Sequence, residues 1–456
     1  MTQAEALAIM KTGAGVFLTG EPGSGKTHTV NLYVAYLRAG GVAPAITAST
    51  GIAATHLGGL TIHSWSGIGV RPYLSAYDLD QLAQNRNVVR RVAGASVLII
   101  DEVSMLSART LSMIDAVCRE IRRSEEAFGG LQIILVGDFF QLPPVNRAEN
   151  AVDREQFAFF SPAWQTLNPI VCYLSEQHRQ ADPEFLGLLA AIRGHSFTES
   201  HRRILRTRYA SKPPAGLTQL YPHNVDVDQI NHQELAKLPG EVRTFAMTEH
   251  GSEKLVAALK RGCLSPETLA LKIGARVMFT KNDLAGHRFV NGTLGAVSGF
   301  AKESGWPLIK TLAGRTIPAE PAEWRIEDGG RVLARLSQVP LRLAWAMTVH
   351  KSQGMSLEAA HLDLSQTFEY GQGYVALSRL RTLGGLSLAG LNERALEVHP
   401  EIRTKDGEFR ARSTEAREKF GALAPERLAT LQANFLRACG GSSRRTGRGR
   451  KAKLVV

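Results

Sequence analysis

The sequence predicts an α/β fold: a parallel sheet covered by helices, then a second α/β domain that a small β module interrupts. Three observations carry this prediction. Over the first 175 residues, short β-rich runs alternate with loops and helical stretches. Between about residues 240 and 340 the pattern changes to short strands with glycine-containing turns. Beyond residue 340 the alternating pattern returns, so we expect the second domain to be discontinuous.

The predicted elements follow in chain order. The strands of the first domain are Val16 to Thr19, Ala45 to Ala48, Val97 to Asp101, Ile133 to Gly137 and Ile170 to Leu174. Thr218 to His223 is the first predicted strand of the second domain, and a helix from Val225 to Leu238 follows it. The inserted strands lie within Gly274 to Lys281, Gly292 to Phe300 and Leu308 to Leu312. Leu343 to Gln353, His361 to Leu364 and Gly373 to Arg379 complete the second domain.

Composition excludes several classes of protein. The 456 residues are 44% hydrophobic and 21% charged, as in globular proteins of roughly three domains. The longest apolar runs are far shorter than the roughly 20 residues that cross a bilayer, and the first residues lack a secretion signal pattern. No Cys-x-x-Cys pair occurs among Cys118, Cys172, Cys263 and Cys439. We therefore expect a protein of the reducing cytosol, without disulfides, a zinc site or a membrane span.

The net charge of +12 suggests a polyanionic partner. Seven basic and no acidic residues lie between Arg437 and Lys453, so the rest of the chain is only mildly basic. This end is too rich in glycine, serine and arginine to order itself. It either helps to hold nucleic acid by counterion release or is a solvated end that aids solubility.

A glycine-rich loop follows the first predicted strand. The segment Gly20-Glu21-Pro22-Gly23-Ser24-Gly25-Lys26-Thr27 fits the pattern G-x-x-x-x-G-K-[ST] and precedes the helical run His28 to Arg38. Its glycines let backbone N–H groups face a β-phosphate, while Lys26 reaches the β- and γ-phosphate oxygens. The hydroxyl of Thr27 is the expected Mg²⁺ ligand. The sequence therefore predicts a site for ATP with Mg²⁺.

Two acids follow the apolar run of another predicted strand of the same sheet. Asp101 and Glu102 follow the apolar run Val97 to Ile100. Unpaired carboxylates there are costly, so we expect Asp101 to hold Mg²⁺ through water and Glu102 to deprotonate the attacking water. An Asp-Glu pair in place of a lone Asp favours a hydrolase over a kinase.

A second buried strand, Ile133 to Val136, delivers polar residues to the same edge of the sheet. It leads into Gly137-Asp138-Phe139-Phe140-Gln141-Leu142-Pro143-Pro144. We expect Gln141 to sense the γ-phosphate. The alternative is that Asp138 caps a turn that the prolines stiffen.

Polar and aromatic residues also follow the predicted strand Ala45 to Ala48. Thr50 and Gly51 begin the run Thr50 to Ala54, and Thr61-Ile62-His63-Ser64-Trp65 comes soon after. Hydroxyls and helix-start N–H groups bind nucleic-acid phosphates, and Trp65 is placed to stack on a base. Helix capping by Thr50 and core packing of Trp65 are the alternatives.

These segments resemble the helicase motifs of superfamily one. The whole set resembles the petite integration frequency (Pif-one) family of superfamily 1B DNA helicases over roughly residues 1 to 390. The most specific segments are Phe128-Gly129-Gly130, Gly137 to Pro144, Leu174 to Gln180, Ala346 to Gly354 and Tyr374 to Arg379.

The resemblance implies two RecA-like domains that grip ATP between them and an inserted SH3-like β-barrel that guides duplex DNA. It assigns Arg179 and Arg379 as arginines that reach ATP from the second domain. It implies that Gln353, beside Gly354, relays between nucleotide and DNA, and that Gln3 contacts adenine.

On the DNA side, the resemblance implies contacts from the second domain by Thr348, His350 and Tyr374. Two grips, one at Thr50 and His63 and the other at Thr348 and His350, are expected to alternate as ATP binds and leaves.

The expected domain limits follow from these patterns and the resemblance. They are residues 1–170 for the first RecA-like domain, 171–238 and 341–392 for the second, 239–340 for the insert, 393–436 for a C-terminal helical segment and 437–456 for a disordered basic tail.

Together, the residues and the resemblance predict an ATP-dependent DNA helicase that moves 5′-to-3′ on single-stranded DNA. We expect it to unwind forked duplexes in replication, repair or recombination, with ATP and Mg²⁺ as cofactors, as a monomer. A RecD-type helicase is one alternative, which Phe128-Gly129-Gly130 disfavours. The other is a DNA-stimulated ATPase that remodels protein–DNA complexes without unwinding.

Overall fold

The computed structural model describes residues 1–57, 59–69, 71–144, 157–177, 182–214, 217–222, 227–283, 288–328 and 331–442. These residues form a mixed α/β fold with two parallel and three antiparallel sheets. Within these ranges, none of the helices combines the length and the apolar character that crossing a bilayer requires.

Six parallel strands form the first sheet. They are β1 (Val16–Gly20), β2 (Ala45–Ala48), β3 (Leu60–Thr61), β4 (Val97–Asp101), β5 (Gln132–Val136) and β6 (Ile170–Leu174). Their order is β3-β2-β4-β5-β1-β6. The predicted bounds of β2, β4 and β6 are confirmed. Because β6 pairs with β1, this sheet ends at Leu174, whereas the expected domain limit at residue 170 falls on the first residue of β6.

Helices cover both faces of this sheet. They are α1 (Gln3–Met10), α2 (Lys26–Ala39), α3 (Gly51–Leu57), α4 (Ile62–Ser66), α5 (Ala76–Gln84), α6 (Arg86–Gly94), α7 (Ala108–Arg122) and α8 (Pro162–Leu167). Side chains alternate along a strand, so neighbouring residues of β1 enter different cores. Phe17 packs in one core with Ile100, whereas Val16 packs in the other with Ile99. Burial on both faces explains why the strands are continuously apolar.

The chain then begins a second α/β unit. Its first stretch consists of α9 (Pro183–Arg193), α10 (Glu199–Arg206), β7 (Thr218–Tyr221) and α11 (Val227–Lys237). An N-cap at Asp182, whose carboxylate accepts a hydrogen bond from the N–H of Phe185, begins α9.

An insert of mostly antiparallel strands follows α11. Its elements are β8 (Arg243–Ala246), β9 (Thr248–Gly251), α12 (Glu253–Gly262), β10 (Thr268–Leu271), β11 (Arg276–Phe279), β12 (Leu294–Phe300), β13 (Pro307–Thr311), β14 (Thr316–Pro318), β15 (Ala322–Asp328), β16 (Arg331–Gln338) and β17 (Leu341–Leu343). The largest of its sheets has the order β14-β13-β12-β11-β17, and β15-β16-β9 and β10-β8 form two smaller sheets. The insert has its own core, which includes Val277, Phe279 and Ile309.

The second parallel sheet is completed only after the insert. The chain continues with β18 (Ala346–Thr348), β19 (Ala360–Leu364), α13 (Gln372–Ser378) and β20 (Leu386–Leu391). The sheet has the order β18-β7-β19-β20, and all its pairs are parallel. Strand β7 precedes the insert and β18 follows it, so two separate stretches of chain build this sheet.

Two C-terminal helices return to the first sheet. They are α14 (Pro400–Gly421) and α15 (Pro425–Ala438). Ser413 of α14 accepts a hydrogen bond from the N–H of Tyr173 at 3.0 Å, and Gln432 of α15 donates to the carbonyl oxygen of Ala8 at 3.0 Å. Helix α15 extends to Ala438, so the first residues of the expected tail are helical. The tail beyond residue 442 lies outside the described residues.

Candidate active site

A cleft of about 450 Å³ lies where the first sheet faces the second. Its lining residues from the first sheet's side are Pro22, Gly23, Gly25, Lys26, Thr27, His28, Glu102 and Gln141. From the second sheet's side it is lined by Gly354, Ser356, Arg379 and Arg381. The structure therefore brings together most of the residues that the sequence assigns to ATP.

The backbone of the glycine-rich loop between β1 and α2 turns tightly. Gly23 and Gly25 have φ angles of 89° and 85°, in the left-handed region that favours glycine. The side-chain amide of Gln3 lies against this loop and donates to the carbonyl oxygen of Ser24 at 3.2 Å. Gln3 thus braces the loop, and its contact with adenine stays a prediction.

Lys26 points into the loop that precedes it. Its Nζ donates to the carbonyl oxygens of Gly20 at 2.7 Å and Glu21 at 3.1 Å. The buried hydroxyl of Ser24 has no hydrogen-bond partner among the described residues. A cation and an unpaired hydroxyl within a loop at a helix N-terminus fit an anionic phosphate group.

Asp101 ends β4 and Glu102 follows it, and both acids are half-buried. Burial, and then the charge of Glu102, raise the pKa of Asp101 to about 7. Glu102 has a φ of 53°, a left-handed conformation, and its N–H donates to Oδ1 of Asp101 at 2.8 Å. The sharp turn at Glu102 brings that residue to the wall of the cleft.

The segment after β5 is buried beside the cleft. Gln141 is 7% exposed and lines the cleft, and its Nε2 lies 3.5 Å from Oδ2 of Asp138. Burial raises the pKa of the Asp138 carboxyl, but the nearby charges of Arg193 and Lys26 outweigh it, so the net pKa is lowered. Asp138 also accepts a hydrogen bond from the N–H of Phe140, which fits the alternative turn-capping role.

Arg379 reaches the cleft from the end of α13. Its side chain is 2% exposed; Nε donates to the carbonyl oxygen of Val375 at 3.0 Å and Nη2 to Oγ of Ser378 at 2.9 Å. Burial lowers its pKa, and the charge of Glu102 opposes that shift. The charge of an arginine from the second sheet therefore acts on the acid at the other wall of the cleft.

The resemblance also assigns Arg179 and Gln353 to the nucleotide site. Arg179 lies outside the described residues. Gly354 lines the cleft, whereas Gln353 is half-buried and its Nε2 has no hydrogen-bond partner in the described part of the chain. Its relay role stays a prediction.

Sequence reasoning missed several residues at this site. Arg381, Ser356 and His28 line the cleft. Arg381 lies two residues beyond Arg379, and that spacing was the signal that would have found it. Arg193, which pairs with Asp138, lies in phase with the buried apolar positions Phe185 and Leu189 of α9, and an arginine on that apolar face was the signal that would have found it.

The expected DNA-binding residues of the first sheet have different environments. Thr50 caps α3 by accepting a hydrogen bond from the N–H of Ala53 at 3.2 Å. Gly51 packs against α12 of the insert, where a Cβ on Gly51 would lie 3.2 Å from the nitrogen of Gly262. Ser64 is exposed and His63 half-buried. Their DNA contacts stay predictions.

Three expected DNA contacts are packed inside the protein. Trp65 is 4% exposed and lies in the main core, so in this conformation its ring is not available to stack on a base. Thr348 is 4% and Tyr374 1% exposed, whereas His350 is exposed. The structure thus favours the core-packing alternative for Trp65 and leaves His350 as the accessible member of the second grip.

This chain is similar to known helicases along most of its length. Residues 2–188 match the family model described as PIF1-like helicase. The ATP-dependent DNA helicase Pif1 of Psychrobacter is 42% identical, over 97% of this chain and 76% of that protein. The chain spans only about three fifths of the length of the vertebrate relatives that it matches.

Solved structures agree with this match. Bacteroides Pif1 in complex with ADP-AlF4 has a TM-score of 0.76 and 29% identity, over 90% of this chain and 96% of that one. Bacteroides Pif1 bound to ssDNA has a TM-score of 0.59 and 30% identity, over 91% and 97% of the two chains. Because a Pif1 helicase is 42% identical over nearly the whole of this chain, and because the cleft is built from the expected motifs, this chain belongs to the PIF1-like helicase family.

Proposed function

We propose that this chain is an ATP-dependent DNA helicase that translocates 5′-to-3′ on single-stranded DNA and unwinds duplexes. One observation carries the proposal: Arg379 of the second sheet's helix α13 lines the same cleft as Lys26 and Glu102 of the first sheet. An arginine that reaches the nucleotide from a second body couples hydrolysis to closure of the cleft. DNA held on both bodies is then pulled as the cleft closes and opens.

Each cleft residue has a proposed task in hydrolysis. Lys26 exchanges its bonds to backbone carbonyl oxygens for bonds to the β- and γ-phosphates. Glu102 accepts the proton of the attacking water, and Gln141 senses the γ-phosphate. Arg379 stabilises the charge on the γ-phosphoryl oxygens in the transition state, a contribution of about 10³ to 10⁵ in rate. Arg179 is proposed as a second arginine on the family resemblance.

The residues present fit Mg²⁺. Thr27 offers an exposed hydroxyl at the cleft, and the repulsion between Asp101 and Glu102 is the kind that a cation relieves. Thr27 would hold the ion directly and Asp101 through water. The bound ion would neutralise charge on the β- and γ-phosphate oxygens.

The proposed DNA path joins groups from both parallel sheets. Thr50, His63 and Ser64 form the first grip, and Thr348 and His350 form the second. The exposed or half-exposed members supply the initial phosphate contacts. The insert is proposed to be an SH3-like module that guides duplex DNA. The similarity of this chain to Bacteroides Pif1 bound to ssDNA supports DNA as the partner.

The domain limits are revised accordingly. We propose a first RecA-like domain of residues 1–174 completed by α14 and α15, a second of residues 183–237 and 344–391, and an insert between the two parts of the second. We also propose that the protein is a monomer in the cytosol. The four cysteines, all within the described residues, are free, which fits a reducing compartment.

Strand separation on forked DNA tests this function. The substrate is a fork with either a 5′ or a 3′ single-stranded tail, assayed with ATP and Mg²⁺ at several salt concentrations because DNA binding is ionic. We expect strand release from the 5′-tailed fork, ATPase activity that rises with single-stranded DNA, and loss of both in Lys26→Ala. ATPase activity without strand release supports the remodelling ATPase instead. Strong DNA-stimulated hydrolysis by Lys26→Ala contradicts the site assignment.

A further inference from the structure

The guanidinium of Arg193 lies between the two parallel sheets, and 4% of its side chain is exposed. Nη1 donates to the two carboxylate oxygens of Asp138 at 2.9 and 3.0 Å and to Oη of Tyr374 at 3.1 Å. Nη2 donates to Oη of Tyr173 at 2.8 Å. The guanidinium carbon lies 3.9 Å from the centre of the Phe140 ring. A single side chain thus connects separate segments of the chain.

These partners belong to opposite walls of the cleft. Asp138 and Phe140 lie in the segment that carries Gln141, the proposed γ-phosphate sensor. Tyr374 lies on α13, which ends beside Arg379. Arg193 is not among the described residues that line the cleft, so its influence on the nucleotide passes through these neighbours.

Helix α14 adds a further contact. Oδ1 of Asp406 lies 3.5 Å from Nη2 of Arg193. Arg410, one turn further along α14, donates to Oη of Tyr173 at 2.6 Å, and its Nη2 lies 3.7 Å from Oε1 of Glu21 in the phosphate loop. The C-terminal helix therefore supports the same cluster from a third side.

We propose that Arg193 is a positioning residue for ATP hydrolysis, which holds Asp138 and hence Gln141 in register with helix α13, so that Gln141 and Arg379 face the γ-phosphate together. This inference rests on the proposed function. The bond from Gln141 to Asp138 is the step that connects Arg193 to the cleft.

The charges around Asp138 make the pH dependence of ATP hydrolysis a test of this role. The ionisable groups that face Asp138 within the described residues are Arg193 of α9, Lys26 of α2, Tyr173 of β6, and Tyr374 and Arg379 of α13. Asp406 contacts this set through Arg193. With Arg193 removed, burial is less opposed and the pKa of Asp138 rises. The carboxyl then takes up a proton at a higher pH and loses the charge that Gln141 contacts.

Two substitutions separate charge from geometry. Arg193→Met removes the charge and the planar hydrogen-bonding geometry of the guanidinium. We expect kcat for DNA-stimulated ATP hydrolysis to fall by about 10²-fold, because a shift of about 1 Å in a positioned group has that effect. The KM of this variant for ATP should change little. Its kcat should also decline with acid at a higher pH than in the parent protein. Arg193→Lys keeps the charge but not the planar fork, so we expect a lower kcat with the parent pH profile.

Arg208→Met is the matched control. Arg208 is half-buried, and its Nε and Nη2 donate to the backbone carbonyl oxygens of Leu386 and Gly384 in and beside the second sheet. We expect this variant to lose thermal stability while keeping the kcat and pH profile of the parent. Thermal unfolding of all variants shows which of them are folded at the assay temperature.

A double-mutant cycle with Asp138→Asn tests the route. If Arg193 acts through Asp138, Arg193→Met adds little to the loss of kcat caused by Asp138→Asn. Additive losses, or a folded Arg193→Met variant with the parent kcat and pH profile, overturn the inference. Failure of the parent protein itself to hydrolyse ATP with DNA refutes the proposed function instead, so the two failures are distinguishable.

Discussion

The side chain of Gln3 packs directly on Gly25 of the phosphate loop. A Cβ on Gly25 would lie 2.0 Å from Nε2 of Gln3, closer than any real contact allows. The φ angle of Gly25 is 85°, so the backbone conformation favours glycine, and a Cβ at this position would displace the side-chain amide of Gln3. The first helix of the chain is therefore part of the phosphate site.

Substitution of Gly25 by alanine should damage the site beyond the cost of backbone strain. Gly41 is a matched control, because its φ is 86° and nothing lies within 4 Å of a Cβ there. We expect both Gly25→Ala and Gly41→Ala to lower the free energy of unfolding by about 1 to 2 kcal/mol, the cost of a left-handed alanine. Only Gly25→Ala should also lose ATP affinity, measured by nucleotide titration. Equal ATP affinities in the two variants contradict the role assigned to Gln3.

Arg381 should contribute to nucleotide binding more than to chemistry. Its side chain is exposed at the mouth of the cleft, where an ionic contact contributes about 0.2 to 1 kcal/mol and weakens with salt. We expect Arg381→Ala to raise KM for ATP up to roughly fivefold with little change in kcat. The increase in KM should be smaller at high salt, because salt screens the contact. Arg403→Ala, at an exposed position of α14 that does not line the cleft, is the control. A large loss of kcat in Arg381→Ala would instead assign it a catalytic contact.

Trp65 should behave as a core residue. It is 4% exposed, in the core that also contains Leu82 and Val88. We expect Trp65→Ala to lower the free energy of unfolding by about 3 to 5 kcal/mol. Trp65→Leu retains part of the apolar volume and should keep the affinity for single-stranded DNA. A loss of about 1 to 3 kcal/mol in DNA binding by a folded Trp65→Leu variant would restore the base-stacking interpretation.

Local patterns predicted the first sheet well. The strands β2, β4 and β6 have the predicted bounds, because a parallel sheet that is buried on both faces selects short, mostly apolar runs. The phosphate loop was equally predictable, since its glycines and Lys26 are neighbours in the chain. These features depend on residues close in sequence.

Features that depend on distant residues were not predictable. Arg193 meets Asp138 and Tyr374, which are 55 and 181 residues away. Its position on the apolar face of α9 indicates burial, but the helix does not indicate which residues it contacts. The return of α14 and α15 to the first sheet likewise depends on surfaces that only the folded chain presents. For Trp65, the residue type suits both a core and a stacking surface, so only its burial favours one of them.

We propose that one cleft between the two parallel sheets holds ATP and that Arg379 acts there in the transition state. The most direct measurement compares nucleotide affinity and single-turnover hydrolysis in Arg379→Ala and in the parent protein, both saturated with single-stranded DNA. The account predicts nucleotide affinity close to that of the parent, with hydrolysis slower by about 10³-fold or more. Hydrolysis at the parent rate, or a defect confined to nucleotide binding, would contradict it.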